Sequence, residues 1–454
     1  MTEQILVPFE GEDSGVGELT WGQHDMWRVM QRENTSLSIG GWLPLPQGST
    51  VAGVVTDLGF LMCRYAALRT RLGFADDGRP LQVVSKSGEV PLEIVDAGDA
   101  DPAETAAALH RRYHRHVFDY AREWPIRWAV IVSRGAATHL VSVISHLASD
   151  GVGVVTMLND LASRDPVTGR AKGPVTGVQP LELARLQASP AGRRQSDAAL
   201  RYWERLLRVI PARRFADSVG RRQPRFWQAY YDSPASHLAA QAVAARTQAE
   251  TSTVLLAAFA VALTRVTGIN PAIIQVVVNN RFRPGLAGAV TPICHHNPCV
   301  IDVADVTFDQ AVTRAWRAAV GAYKLGYYDP LRRDELVSRI CRERGEEIDL
   351  SCFVNDRRMQ SRQEPAGQAP TADDVRAALP RSVLTWGRQR DVPGEKCYLH
   401  LNNAPDTVNY ELLADTHYLA PADMEAILRG LEAVLVEAAL LPAVPAGASS
   451  VTSS

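Results

Sequence analysis

The 454-residue sequence carries almost no net charge: 48 Lys and Arg stand against 50 Asp and Glu, a formal −2. Binders of nucleic acid or other polyanions show a basic excess, so nothing points to that class. No apolar run is long enough to span a bilayer, and the best one, Val254 to Leu263, reads as a buried helix. The N-terminus, Met1-Thr2-Glu3-Gln4, lacks the charged-then-apolar pattern of a secretory signal. Six cysteines, at 63, 294, 299, 341, 352 and 397, show neither metal-type pairing nor the density of a disulfide scaffold. They read as reduced thiols, and the expected compartment is the cytoplasm. No GxSxG-type nucleophile signature occurs, which argues for direct transfer over an acyl-enzyme. There is no internal repeat.

The length exceeds one ordinary core, so two large domains are expected. Residues 1–17 read as an irregular lead-in. Apolar spacing predicts helices over Gly22–Met30, capped by Thr20, and over Val51–Leu72 and Pro102–Val117. The last carries a basic stripe of His110, Arg111, Arg112, His114, Arg115 and His116, the pattern of a solvated helix face. Short strands are expected at Leu81–Val84 and Leu92–Val95, then a hairpin of Ile126–Val132 with His139–Ile144 around Arg134-Gly135-Ala136. Pro166 to Pro180 is rich in Gly, Pro and Thr and breaks the periodicity. The expected division is therefore 1–170, a linker at 171–180, and 181–441, with a disordered tail at 442–454. The second part alternates helices (Leu181–Ala188, Gln195–Val209, a pair within Ser236–Gly268, Asp309–Tyr323, Asp334–Glu343, Pro421–Ala439) with strands. The strands are Ala272–Val278, Ile348–Val354, Leu384–Gly387, Cys397–Asn402 and Val408–Ala414. Arg357–Ala372 is polar and reads as a mobile loop.

One stretch organises the rest: Ser145-His146-Leu147-Ala148-Ser149-Asp150-Gly151, between the strand His139–Ile144 and a helix Val152–Leu161. It puts an imidazole at the exit of a strand. Asp150 suits the N-cap of the next helix, and Gly151 suits a close backbone approach.

Seven stretches in order resemble motifs of the condensation domains of nonribosomal peptide synthesis, in the chloramphenicol-acetyltransferase-like superfamily. Leu19-Thr20-Trp21-Gly22-Gln23-His24-Asp25-Met26-Trp27 resembles LTxAQxxxW, and Arg64 to Leu72 resembles RHExLRTxF. Ser145 to Gly151 resembles HHxxxDG, and Leu200 to Leu206 resembles the YWxxxL helix. Asn280-Arg281 with Asn297 resembles the GR and FVN elements. Tyr328-Asp329-Pro330-Leu331 is similar to DYPF, and Asn355-Asp356-Arg357-Arg358 to a late motif. Two positions depart from the pattern. Ser145 stands where the family has its first histidine, and Ile293-Cys294-His295-His296-Asn297 stands for GxFVN. His295-His296 invites a metal or relay reading, but no carboxylate or Cys lies at ligand spacing, and loop or wall residues are the stronger reading.

The resemblance implies an α/β (α+β) fold: two acetyltransferase-like lobes, each a mixed sheet flanked by helices, in a V with a central tunnel. It implies donor and acceptor carrier proteins as partners, one bringing an acyl thioester and the other an amine or hydroxyl. A small-molecule amine or alcohol is an alternative acceptor. No cofactor is bound permanently; the phosphopantetheine arm comes with the carriers. His146 matches the second histidine of the motif, as general base or as the group that positions the nucleophile. Amides at the helix start by Gly151 are placed to stabilise an oxyanion. Asp150 is expected to be structural, paired with Arg281 ahead of Arg69. Ser145 bears on geometry more than on activity. The chain starts close to the first motif and ends soon after the last helix, so a free-standing, monomeric enzyme acting in trans is expected. Two other readings stay open: a coenzyme-A-dependent acyltransferase of the superfamily, and a catalytically silent member that recruits enzymes to a carrier.

Overall fold

The computed structural model describes residues 2–165, 168–358, 369–391 and 394–441. The expected tail at 442–454 and most of the expected loop at 357–372 lie outside them. The chain divides into two compact units. The first comprises Met1–Ala198, Asn279–His295 and Tyr327–Asp334; the second comprises Ala199–Val278, His296–Gly326 and Glu335–Ser454. The segment 171–180, marked by composition as a linker, lies inside the first unit, which also takes in two short returns from the second half of the sequence.

The first unit begins with β1 (Thr2–Glu10), β2 (Gly15–Glu18), α1 (Trp21–Glu33) and β3 (Ile39–Pro44). Next come α2 (Val51–Arg64), β4 (Thr70–Phe74), β5 (Pro80–Val84) and β6 (Ser87–Asp96). It continues with α3 (Pro102–Arg115), β7 (Ile126–Ser133), β8 (Ala136–Ile144), α4 (Gly151–Ala162) and α5 (Pro180–Ala188). Its main sheet has the order β1-β6-β7-β8-β3 and a smaller sheet runs β2-β5-β4. Only β6 and β7 pair in parallel in the main sheet, so it is mixed. The hairpin expected around residues 134–136 is present, with Arg134 and Gly135 both at positive φ, at 51° and 79°. Residues 1–17 are not an irregular lead-in. β1 pairs with β6 from Thr2↔Val95 to Glu10↔Ser87, and Val7 and Phe9 bury on alternate positions while Leu6 faces out. The helix expected over 51–72 stops at Arg64. After buried Tyr65, a short 3₁₀ turn, Ala66–Arg69, is buried all round, so no amphipathic face exists, and Thr70 starts a strand.

α6 (Pro190–Leu207) carries the chain into the second unit, which contains β9 (Phe226–Ser233), α7 (Pro234–Thr247), α8 (Thr251–Thr267), β10 (Ala272–Val278) and β11 (His295–Ile301). After α9 (Phe308–Lys324) and α10 (Pro330–Arg344) come β12 (Cys352–Asp356), α11 (Ala372–Ala378), β13 (Val383–Arg390), β14 (Cys397–Ala404), β15 (Thr407–Asp415) and α12 (Pro421–Leu440). Its seven-stranded sheet has the order β11-β10-β12-β14-β15-β9-β13, parallel at β10-β12-β14 and antiparallel from β14 to β13. The strand expected over 348–354 forms only at Cys352–Asp356. The run Val254–Leu263 lies in α8 and, apart from half-buried Val261, is buried in the core of this unit, where α8 packs on α7 and α12. No single described helix is long and apolar enough to cross a membrane. Both units are thus mixed sheets flanked by helices, as the sequence implied.

The Asn279–His295 return docks onto α1 and α5 through an apolar cluster of Trp21, Leu183, Leu286, Ala289, Ile293 and Tyr327. Thr20 and Gln23 form a reciprocal capping box at the start of α1. Gly22 makes the close approach feasible: a Cβ there would lie 1.9 Å from the Pro292 carbonyl oxygen. Backbone cannot give way like a side-chain end. Gly22→Ala should therefore destabilise by at least ~1–3 kcal/mol, the usual range for overpacking. Thermal melting checks this, and an unchanged melting temperature would show that the return is not seated against α1.

Candidate active site

The turn between β8 and α4 is built from its own side chains. Ser145 is fully buried. Its backbone N–H donates to the Pro125 carbonyl at 2.9 Å, and its hydroxyl accepts from Leu147 N–H at 3.2 Å. The same hydroxyl shares a 2.9 Å hydrogen bond with Tyr120. Ser145 thus braces the bend. The His146 N–H reaches the Ser36 carbonyl at 3.4 Å. From Ser145 to Asp150 every residue is buried except His146, and Gly151 beyond is exposed. His146 is thus the one titratable side chain of the turn that is not fully buried.

Asp150 caps α4, its Oδ1 accepting from Gly153 N–H at 2.9 Å. Arg281 meets the same carboxylate in a bidentate pair, Nη2 to Oδ1 at 2.7 Å and Nη1 to Oδ2 at 2.9 Å. Arg281 Nη2 also donates to the Ala289 carbonyl at 3.0 Å. Ile293 N–H and the Cys294 thiol each approach Oδ2 at 3.4 Å. A carboxylate offers about four acceptor sites, and these donors fill them. No site is left for an imidazole, so Asp150 is an anchor and not the orienting member of a triad. Burial and the Asp150 carboxylate push the Cys294 thiol well above its usual range, which keeps it a protonated donor.

The other expected site residues fall in different places. Arg69, almost fully buried, donates to the carbonyls of Asp13 and Ser85 and so ties loops of the small sheet; it is not a partner of Asp150. Asn297 belongs to the second unit, where its side-chain amide donates to the Ala322 carbonyl at 2.8 Å. The close backbone approach expected at Gly151 is found two residues on. A Cβ at Gly151 meets no described atom within 4 Å, whereas one at Gly153 would sit 2.4 Å from Ser149 Oγ and 3.5 Å from Arg281 Nη2. Gly151 keeps its place at the first position of α4.

A second buried network had no clear mark in the sequence. His295 is fully buried, with Nδ1 3.0 Å from Asp25 Oδ2. Arg333 Nη2 donates to Asp25 Oδ1 at 3.2 Å, and Arg28 lies 3.3 Å from the same oxygen. Burial alone would raise the Asp25 carboxyl, but the charge of Arg333 and the hydrogen bond to His295 outweigh it and hold it well below the usual carboxylate range. His296, next in sequence, belongs to the second unit, packed edge-on against Phe353 at 4.9 Å with Nε2 3.4 Å from the Tyr398 hydroxyl. The His295-His296 pair is thus split between two environments. The only signal for the Asp25 network was Asp25 inside the opening LTWGQHDMW stretch, and its partners lie 270 and 308 residues away.

A model of the condensation domain family matches residues 30–341. The AMB antimetabolite synthetase AmbB of Pseudomonas aeruginosa is 30% identical over 286 residues, 61% of this chain and 22% of that protein. The chain therefore spans less than a quarter of that relative's length. Among solved structures, the condensation domain studied for chain release from the enacyloxin polyketide synthase superposes with a TM-score of 0.70 at 20% identity, covering 98% of this chain and 86% of that one. The SgcC5 protein of Streptomyces globisporus superposes at 0.69 with 16% identity, covering 94% and 100%. At these identities the structural matches speak for the fold.

Removing Asp150 leaves a buried guanidinium unpaired. Asp150→Ala should cost about 3–5 kcal/mol, while Asp150→Ala with Arg281→Met should recover most of that loss. Urea unfolding midpoints read this; a double variant as weak as the single one would remove the ion pair as the tether. Asp25 predicts a pH effect. Its folded value lies below its unfolded value of about 3.9, so its stabilisation is complete above that pH and is lost on further acidification. Asp25→Asn should be less stable at neutral pH and lose stability less steeply below about pH 4. Parallel acid-unfolding curves for the two proteins would contradict this.

Proposed function

The chain belongs to the condensation domain family, and from that premise we propose that it joins a carrier-bound acyl or aminoacyl thioester to an amine or hydroxyl acceptor, with His146 as the group that handles the proton. Condensation domains are transferases of nonribosomal peptide and polyketide assembly; they act on substrates tethered through phosphopantetheine and need no resident cofactor. The observation that supports the reading is the exposure pattern of the turn: His146 is partly exposed, while the carboxylate four residues on is consumed by Arg281, Gly153, Ile293 and Cys294.

In the proposed step the acceptor nitrogen or oxygen attacks the thioester carbonyl carbon. The new C–N or C–O bond forms as the acceptor's proton passes to the imidazole, whose ordinary pKa near neutrality suits both taking and returning it. The tetrahedral intermediate then collapses, the C–S bond breaks, and the proton leaves with the pantetheine thiol. The first amides of α4, at Gly151 and Val152, supply the positive end of a helix dipole for the oxyanion. Asp150 acts on the site only through the backbone it holds.

The test uses a donor and an acceptor carrier loaded with model substrates, with product followed by intact mass. His146→Ala should lower the rate by roughly 10²–10⁴ without changing the melting temperature. An unchanged rate with product still forming would remove His146 from the chemistry.

A further inference from the structure

The first unit also holds a surface cavity of about 440 Å³, lined by residues of β1, β6, α3 and β7 and by Arg71 of β4. None of the residues of the His146 turn lines it. Its wall includes the Arg71 guanidinium, stacked 3.5 Å from the centre of the Trp124 ring. The ring is itself fixed, because the Trp124 indole N–H donates to the Glu89 carbonyl at 2.7 Å. Arg71 Nε is buried with no hydrogen-bond partner among the described residues. Burial lowers the basicity of this guanidinium, and no carboxylate raises it again. Arginine half-buried on an aromatic face normally finds an anion.

Two of the three carboxylates lining the cavity are already committed. Glu93 is taken by Arg112 at 2.7 Å and by the Tyr113 hydroxyl at 2.5 Å. Glu123 is taken by Arg127 at 2.7 Å. Arg122 makes no ion pair among the described residues. The uncommitted charges lining the cavity are Arg71 and Arg122 against Glu89, two positive and one negative, a surplus of one positive charge. We propose that this cavity binds a small oxyanion, a phosphate or carboxylate compound, with Arg71 as its principal charge partner over the Trp124 platform. The site is independent of the condensation chemistry, and the cavity volume suits a ligand of metabolite size.

The experiment is isothermal titration of the full chain with inorganic phosphate and, separately, succinate, at constant ionic strength with chloride as the blank. Saturable binding of either anion at one site per chain is expected. Arg71→Met keeps an apolar stem on Trp124 and should weaken binding roughly tenfold, the worth of one charged hydrogen-bonding partner. Arg122→Gln, on the exposed loop, should weaken it less and guards against a folding defect in the first variant. Absence of saturable binding, or equal affinity in both variants and the parent, overturns the proposal. Binding of a hexaglutamate peptide with neither small anion binding also overturns it, since the surface would then recognise polypeptide carboxylates.

Discussion

A buried carboxylate meets a buried guanidinium where Asp150 and Arg281 form their two-pronged pair, with side-chain exposures of 4% and 8%. Neither charge tolerates that burial alone, because the desolvation of each costs several kcal/mol. Two further donors and the α4 cap complete the carboxylate, and the Ala289 carbonyl occupies a remaining N–H of the arginine. Such a pair contributes less to net stability than to geometry. It fixes the bend after β8 to a chain segment 131 residues away, and so sets where the His146 backbone lies.

The seven-residue turn divides its labour by exposure. Ser145 and Asp150 turn inward and spend their side-chain oxygens on the bend and its tether, whereas His146 stays partly exposed. Two titratable groups four residues apart are therefore placed differently: the carboxylate is enclosed by a guanidinium and amides, while the imidazole is partly exposed. The Asp25, His295 and Arg333 network repeats the inward pattern. It secures the far end of the same returning segment to α1, with Cys294 between the two anchors as a protonated donor to Asp150. Ser145 shows how a departure from the family pattern is absorbed: its hydroxyl caps Leu147 N–H and meets Tyr120.

Much of the architecture was legible because periodicity records burial. α3, α9, α12 and the β7-β8 hairpin follow from apolar spacing and a two-residue turn, and the buried α8 from its continuous apolar run. Where both faces of a segment are buried, as from Tyr65 to Thr70, periodicity loses its meaning and the helix was read too long. β1 carried an alternating Ile5, Val7 and Phe9, but its strand character depends on β6, more than 75 residues on, as a pairing partner. β3 and β9 likewise exist through their neighbours in the sheet.

For the site, the residues alone identified the His146 turn and the Asp150 cap, because local spacing is a property of the chain itself, while the resemblance to condensation domains supplied Arg281 and Arg69 as candidate partners for Asp150. The preference for Arg281 over Arg69 held, but moving the tight glycine contact from 151 to 153, and assembling Asp25 with His295 and Arg333, required the folded molecule. Those outcomes depend on which distant segments come within about 3 Å of one another, the range in which hydrogen bonds form, and no pattern along the sequence measures that distance.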